Sequence, residues 1–307
     1  MIGRHRVTVG VPVYNGEEFL AECIQSLLAQ TRPPDQIIIA DNASTDSSLE
    51  IAHRFAAEPT VEIVANETNV GAAPNFNRLV DLADGDLFAW LPADDTWSSD
   101  LLAAQVRALN DPTVVCAFGD LAYIDSESAV SGRPDPVDWT DSPHPESRVA
   151  ELLAANEFRS HLHVCGPVLG LVRRDQLLRS GRIRPFGGSD KALIVELALH
   201  GRLTPVAPVI YRRQHPESSV VANPDDDSRR TWFDPSLKGP ATPTLSLLRA
   251  MLGATRNAPL NRRQRAAVTA EIGRWSGRGH RPRVLAGELR RRVKWQSARR
   301  VAALRHD

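Results

Sequence analysis

"RVTVGVPVYNGEEFLAECIQSLLAQT" (residues 6–31) decides the fold. From Arg6 to Asn15 the residues are mostly β-branched or small, carry no charge after Arg6, and stop at the turn pair Asn15-Gly16. Then Phe19, Leu20, Cys23, Ile24, Leu27 and Leu28 recur at helical spacing, with Glu17 and Glu18 in the first turn. A strand apolar on both faces, followed by an amphipathic helix, is the repeating unit of a parallel sheet covered on both sides. The unit recurs: strands are expected at 36–44 ("QIIIADNAS"), 61–66 ("VEIVAN") and in "LFAWLPADD" from Leu87, with helices in 45–58, 73–85 and 98–111.

Ligands of such sheets sit beyond the carboxyl ends of the strands. Polar residues gather there: Tyr14-Asn15, Asp41-Asn42, Asn66 to Asn69, and Asp94-Asp95. Adjacent carboxylates repel, so the last pair implies either a bound cation or an ordinary solvated turn. No G-x-G-x-x-G follows the first strand, and there is no P-loop, no G-x-S-x-G and no H-E-x-x-H. A carboxylate- and amide-rich edge is what remains.

Beyond about residue 120 the alternation fails. Residues 125–147 are rich in Pro, Ser and Asp and read as a long surface loop, with 125–145 placed to close over a ligand. "HLHVCGPVLGLVRRDQL" (161–177) reads as a strand turning helical, which would put His161, His163 and Cys165 on one face. A strong helix starts at Ser189-Asp190, and a last strand starts near Leu203.

The 307 residues allow one large domain or two smaller ones. Lys+Arg and Asp+Glu balance at 37 each, but from Arg256 onward about fifteen basic residues face three acids. Leu285, Leu289, Val293, Val301 and Leu304 fall on one helical stripe, with Arg290, Arg291, Lys294, Arg299 and Arg300 largely away from it. The first expectation is a helix whose stripe packs on the domain or on a second subunit as a homodimer. Peripheral attachment to anionic lipid is the rival, and nucleic acid is not expected. Three separated cysteines, a short N-terminal apolar stretch and no long apolar run fit a cytoplasmic chain, or one at the inner face of the membrane.

In order, "VGVPVYNGEEFLAECIQSLLAQT", "IIIADNASTDSS", "NETNVGAAPNFNR" and "WLPADDTW" resemble the successive blocks of the inverting glycosyltransferases of family 2. "GGSDKALIVELALHG" and "YRRQHPESS" continue the likeness more weakly. The resemblance implies an α/β fold of GT-A type: a mostly parallel, Rossmann-like sheet flanked by helices, with a helical C-terminal extension. Its halves would be a nucleotide-sugar-binding part (1–120) and an acceptor and catalytic-base part (121–222), followed by an Arg-rich helical region (223–307).

The resemblance also implies roles. Pro12, Tyr14 and Asn15 wrap the base and ribose of a nucleoside-diphosphate sugar, and Asp41 accepts from the imide N–H of a uracil-like base, which favours UDP. Asn69, Asn75 and Arg78 line the diphosphate. Asp95, with Asp94 and His215, holds Mn²⁺ or Mg²⁺, Asp94 also reaching the ribose. Asp190 is the general base toward an acceptor hydroxyl on a cell-surface glycan, a lipid-linked sugar or a natural product. Each has a plainer alternative: an Asx-turn for Asp41, a helix cap for Asp190, an exposed loop histidine for His215. Ala93 stands where many members carry Asp. The rival functions are a sugar nucleotidyltransferase and a non-catalytic scaffold or binding subunit.

Overall fold

The computed structural model describes residues 5–133, 142–155, 165–213 and 231–303. The first half follows the alternation: β1 (Val7–Val13), α1 (Leu20–Leu28), β2 (Gln36–Asp41), α2 (Ser48–His53), β3 (Val61–Ala65), α3 (Ala72–Leu82) and β4 (Leu87–Trp90). Two-residue β5 (Thr96–Trp97) and α4 (Leu101–Ala108) come next. Then follow β6 (Val114–Ile124), β7 (Val130–Gly132), α5 (Pro145–Ala155), α6 (Cys165–Val168), β8 (Leu171–Arg173), α7 (Arg174–Arg179), α8 (Ser189–His200) and β9 (Arg202–Arg213).

These strands form one sheet in the order β3-β2-β1-β4-β8-β6-β9-β5, with β7 on β6. β1 to β4 are parallel, β8 is antiparallel to both its neighbours, and β6 and β9 run parallel to each other. Two reversals restore the direction, so β9 ends at the same edge as β1, β2 and β4. This is the mostly parallel, helix-flanked sheet expected of a GT-A fold.

Alternate residues explain why the strands are apolar throughout. Val7, Val9, Val11 and Val13 face α1 and α4, together with Ile37, Ile39, Leu87 and Ala89. Ile38, Ala40, Phe88 and Trp90 face the opposite layer, which holds α3 and α8. Gly10 lets α3 approach: a Cβ there would lie 2.9 Å from both Leu79 and Phe88.

Two expectations from the second half are corrected. The segment read as loop holds the short strand β7 and the start of α5, whose buried Arg148 donates to the carbonyl of Ala198 at 2.7 Å. Cys165 opens a helical turn, and the strand begins only at Leu171. His161, His163 and residues 134–141 lie outside the described residues.

The C-terminal region contributes α9 (Pro243–Asn257), α10 (Arg262–Gly277) and α11 (Arg281–Ala303). α10 and α11 close the two ends of α9. Arg265 of α10 donates to the carbonyls of Thr255, Arg256, Ala258 and Leu260, where α9 runs out of partners. Asn261 and Gln264 form a capping box at the start of α10. Glu288 of α11 is buried and accepts from the backbone N–H groups of Thr244 (3.1 Å) and Leu245 (2.7 Å) in the first turn of α9.

That last contact, not the expected stripe, decides which face of α11 packs on its own chain. The face of α11 turned inward carries Val284, Glu288 and Trp295, the indole lying 3.1 Å from where a Cβ on Gly239 would sit. Leu289 and Val293 point outward, because satisfying two helix-end amides with a carboxylate fixes the rotation of α11. Leu304 and the side chain of Val301 lie outside the described residues.

Candidate active site

At one edge the strands end in a row: Val13 pairs with Asp41, and Asp41 with Ala65. Pro12 decides where the chain of β4 leaves. Leu91 donates to the carbonyl of Gly10 at 2.9 Å, but the next rung needs an N–H from position 12, and proline has none. The chain therefore departs from β1 after Leu91 and turns through Pro92–Asp95, closed by Asp95 N–H to Pro92 O at 3.0 Å. Pro12 is buried within β1, where it releases that turn.

Beyond β1, Tyr14 is 49% exposed and Asn15 adopts φ 52°. Asn15 locks two loops together: its Oδ1 accepts from the Thr45 backbone at 2.8 Å, and its own N–H donates to Ser44 Oγ at 3.0 Å. Asp46 ties the same loops, accepting from Ser48 and from the Glu17 amide. Burial works against the charge of Asp46, but the Ser48 hydroxyl and these amides outweigh it and hold the carboxyl below its ordinary range.

Asp41 is buried at the end of β2. Its Oδ2 accepts from the Ser44 amide at 3.0 Å, which realises the plain turn reading. Its Oδ1 has no hydrogen-bond partner among the described residues. The turn that follows puts Ala43 at φ 60°, a conformation costing about 1–2 kcal/mol for a residue with a Cβ.

Asn69, Asn75 and Arg78, expected to line a diphosphate, belong to an amide network with Asn42 and Asn66. Asn42 donates to Asn69 Oδ1 (2.9 Å) and accepts from Asn66 (3.0 Å) and the Val70 amide (3.1 Å). Asn75 is buried, donating to Ala40 O at 3.0 Å and accepting from Asn66 at 3.1 Å. Arg78 donates to Ala65 O and Asn66 Oδ1. These five side chains shape the loop after β3. Gly71 in that loop, at φ 89°, lies under the chain at Phe233 to Pro235, where a Cβ would come within 2.6 Å of the Phe233 carbonyl.

The acidic turn sits beside β9. Asp95 is fully buried; its Oδ1 accepts from the Arg213 amide at 3.0 Å, and its Oδ2 faces Arg212 Nε at 3.4 Å. Asp94 is half-buried, and its carbonyl accepts from Arg213 Nε at 3.2 Å. Ala93 is packed into the core, 3.5 Å from where a Cβ on Gly16 would lie. Beneath the turn, the Cys23 thiol donates to Pro92 O at 3.5 Å. Burial, then the carboxylates of Asp95, Asp94 and Glu22, push this thiol well above its ordinary range, so it stays neutral and unreactive.

Arg213 was not singled out from the sequence, though two adjacent arginines ending an apolar strand were visible. Its side chain is 1% exposed. Besides Asp94 it holds Glu22 Oε2 of α1 at 2.6 Å, Ser128 Oγ at 2.9 Å and the Asp125 carbonyl, and it stacks 4.0 Å over Phe19. One guanidinium thus joins β9, α1, the acidic turn and the β6–β7 hairpin. Arg213→Met is expected to lower unfolding free energy by about 3 kcal/mol in urea titration, because it strips charge-assisted bonds from a buried site. Arg213→Lys should recover less than half, since a compact ammonium cannot span these acceptors.

Asp190 comes from the other layer. α8 ends at Gly201 where β9 begins, and its 12 residues rise about 18 Å back along the sheet, so its first turn points to the edge where β1, β2 and β4 end. Gly188, at φ 86°, is the N-cap. Asp190 is therefore not the cap, and its carboxylate accepts no hydrogen bond among the described residues. His215 lies outside the described residues, and no group of three or more His, Cys, Asp or Glu side chains able to hold a metal occurs among those described.

Residues 8–179, more than half of the chain, match the family described as Glycosyl transferase family 2. The chain belongs to glycosyl transferase family 2. A putative teichuronic acid biosynthesis glycosyltransferase of Bacillus subtilis is 32% identical over 129 residues, covering 42% of this family 2 chain and 50% of its own length. The chain thus spans half the length of that relative. A poly(ribitol-phosphate) beta-glucosyltransferase of Bacillus spizizenii is 33% identical over 102 residues, 32% of this chain and 16% of that one. Among solved structures, Staphylococcus aureus TarS 1–349 in complex with UDP-GlcNAc superposes with a TM-score of 0.62 at 18% identity, covering 88% of this chain and 72% of that one. A Pyrobaculum calidifontis mannosyltransferase in complex with GDP-Man and Mn²⁺ gives 0.56 at 19% identity, covering 96% and 76%. At these identities the superpositions support the fold.

Proposed function

We propose that the protein transfers a sugar from a nucleoside-diphosphate sugar to an acceptor hydroxyl, with inversion at the anomeric carbon and with Mn²⁺ or Mg²⁺. One observation carries this reading: the sheet edge holds a buried carboxylate whose Oδ1 has no partner among the described residues (Asp41) beside an acidic turn (Asp94-Asp95), and α8 opens toward that edge with Asp190 in its first turn.

Asp41 Oδ1 can accept the imide N–H of a uracil while the exposed ring of Tyr14, one residue beyond its strand partner, covers the base. Tyr14 and Asp41 are the residues given direct contact with the nucleotide, and the Asn15 and Asn42 bonds fix the loops that carry them. The donor set of the turn fits a hard dication: two carboxylate side chains suffice when phosphate oxygens and water complete the shell. Asp95, Asp94 and His215 would hold it, and when bound it supplies Lewis-acid stabilisation of the departing diphosphate. Asp190 takes the proton of the acceptor hydroxyl as that oxygen attacks from the face opposite the diphosphate, and a single base is enough for direct displacement. The names of two relatives carry a polymer or its biosynthesis, which favours a glycan or polyol polymer as acceptor over a small natural product.

Calorimetric titration with UDP, GDP and dTDP, each with and without Mn²⁺, tests the donor side. UDP is expected to bind most tightly and more tightly with Mn²⁺. Asp41→Asn should weaken UDP about tenfold, because its amide must present the right edge to the imide. Equal affinity for the three nucleotides, unchanged in Asp41→Asn, would remove the base-recognition role.

A further inference from the structure

We propose that the outer face of α11 rests on an anionic phospholipid surface. α11 has one acid, Glu288, and it is turned inward against α9. The solvent side carries no negative charge. Leu289 is 49% and Val293 52% exposed, and Ala286 and Pro282 fall on the same stripe at helical spacing. Arg283, Arg290 and Lys294 run along one flank of that stripe, and Arg292 stands on the other. None of these four cations forms an ion pair among the described residues. The result is a narrow apolar strip between unneutralised basic side chains on a helix of 23 residues.

This arrangement fits an interface rather than a span. No helix among the described residues is long and apolar enough to cross a membrane. A helix lying in the headgroup layer sinks its apolar strip toward the acyl chains, while arginines and lysines reach the phosphates on stems that can snorkel. A second copy of the chain would bring the same positive flank against itself. A hydrated polyanion would satisfy the charge but leave Leu289 and Val293 in water. The inference does not depend on the reaction proposed for the sheet edge.

Flotation of the full chain with phospholipid vesicles tests it. Vesicles of phosphatidylcholine with about a third phosphatidylglycerol should carry the protein, vesicles of phosphatidylcholine alone should not, and high salt should weaken the binding. Replacing Arg283, Arg290 and Lys294 by Gln should lower partitioning about a hundredfold. Leu289→Ser with Val293→Ser should lower it about tenfold without changing the net charge. All five side chains are exposed, so melting temperature and UDP affinity should match the parent protein. Failure to float with anionic vesicles would overturn the proposal. So would equal binding to neutral vesicles. Undiminished binding after the Leu289/Val293 change, matched by tight binding to soluble polyphosphate, would make the strip a polyanion site instead.

Discussion

Asp190→Asn is expected to lower kcat/KM for sugar transfer about a thousandfold, with UDP affinity nearly unchanged. The magnitude is that of losing a general base positioned on the attacking oxygen. The expectation is sharper than for most helix-terminal aspartates because α8 does not need this carboxylate for capping. Gly188 is the N-cap, in the left-handed conformation that glycine adopts without penalty. What Asp190 contributes to stability is its charge near the positive end of the helix, about 0.3–1 kcal/mol, so Asn should cost little in melting temperature. A capping role and a catalytic role thus separate cleanly. Loss of stability with activity above a tenth of the parent would make Asp190 a helix-end charge. Loss of turnover with stability and nucleotide binding intact would place it on the acceptor. Donor hydrolysis in the absence of acceptor is the control: if it survives in Asp190→Asn, the leaving-group side of the site is still assembled.

How much of this was legible before the structure depends on what kind of force set each feature. The parallel half could be read because burial on both faces leaves a direct mark: "IIIA" and "VTVGV" have no polar side to misassign. β7 and the start of α5 were hidden for the opposite reason. Val130 is exposed, and the first turn of α5 is polar, so neither shows a pattern that local composition can reveal. The rotation of α11 on its own domain was not legible because the apolar stripe is the stronger local signal, whereas a tertiary contact, Glu288 on the amides of α9, outweighs two exposed aliphatic side chains. Among the candidate site residues, Asp41, Asp94, Asp95 and Asp190 were visible as carboxylates at strand or helix ends. The asparagines were visible too, but not their work. An amide both donates and accepts, and only the folded loops show that Asn42, Asn66 and Asn75 bond one another and nearby backbone. Arg213 was the hardest to see, since its partners come from three segments far from it in the chain.

Asp95→Asn is expected to cut turnover at fixed Mn²⁺ by about a hundred- to a thousandfold and to shift the Mn²⁺ titration to higher concentration, leaving UDP binding without metal unchanged. The substitution is nearly isosteric. Asn Oδ1 can still accept from the Arg213 amide, but its NH₂ group would then face Arg212 Nε, donor against donor, where a carboxylate oxygen now stands at 3.4 Å. Arg212 loses a buried counter-charge, so stability should also fall, by about 1–3 kcal/mol. That coupling is why Asp94→Asn is needed beside it. Asp94 engages Arg213 through its backbone carbonyl, which the substitution leaves in place, and its side chain is only half-buried. Asp94→Asn should therefore disturb the Mn²⁺ titration with little change in stability. If both variants titrate Mn²⁺ like the parent, the turn after β4 is not where the cation sits and Asp95 is an anchor for β9 alone. If Asp94→Asn shifts the titration at constant stability, the damage in Asp95→Asn cannot be blamed on unfolding, and the two neighbouring charges are kept together for the ion they share.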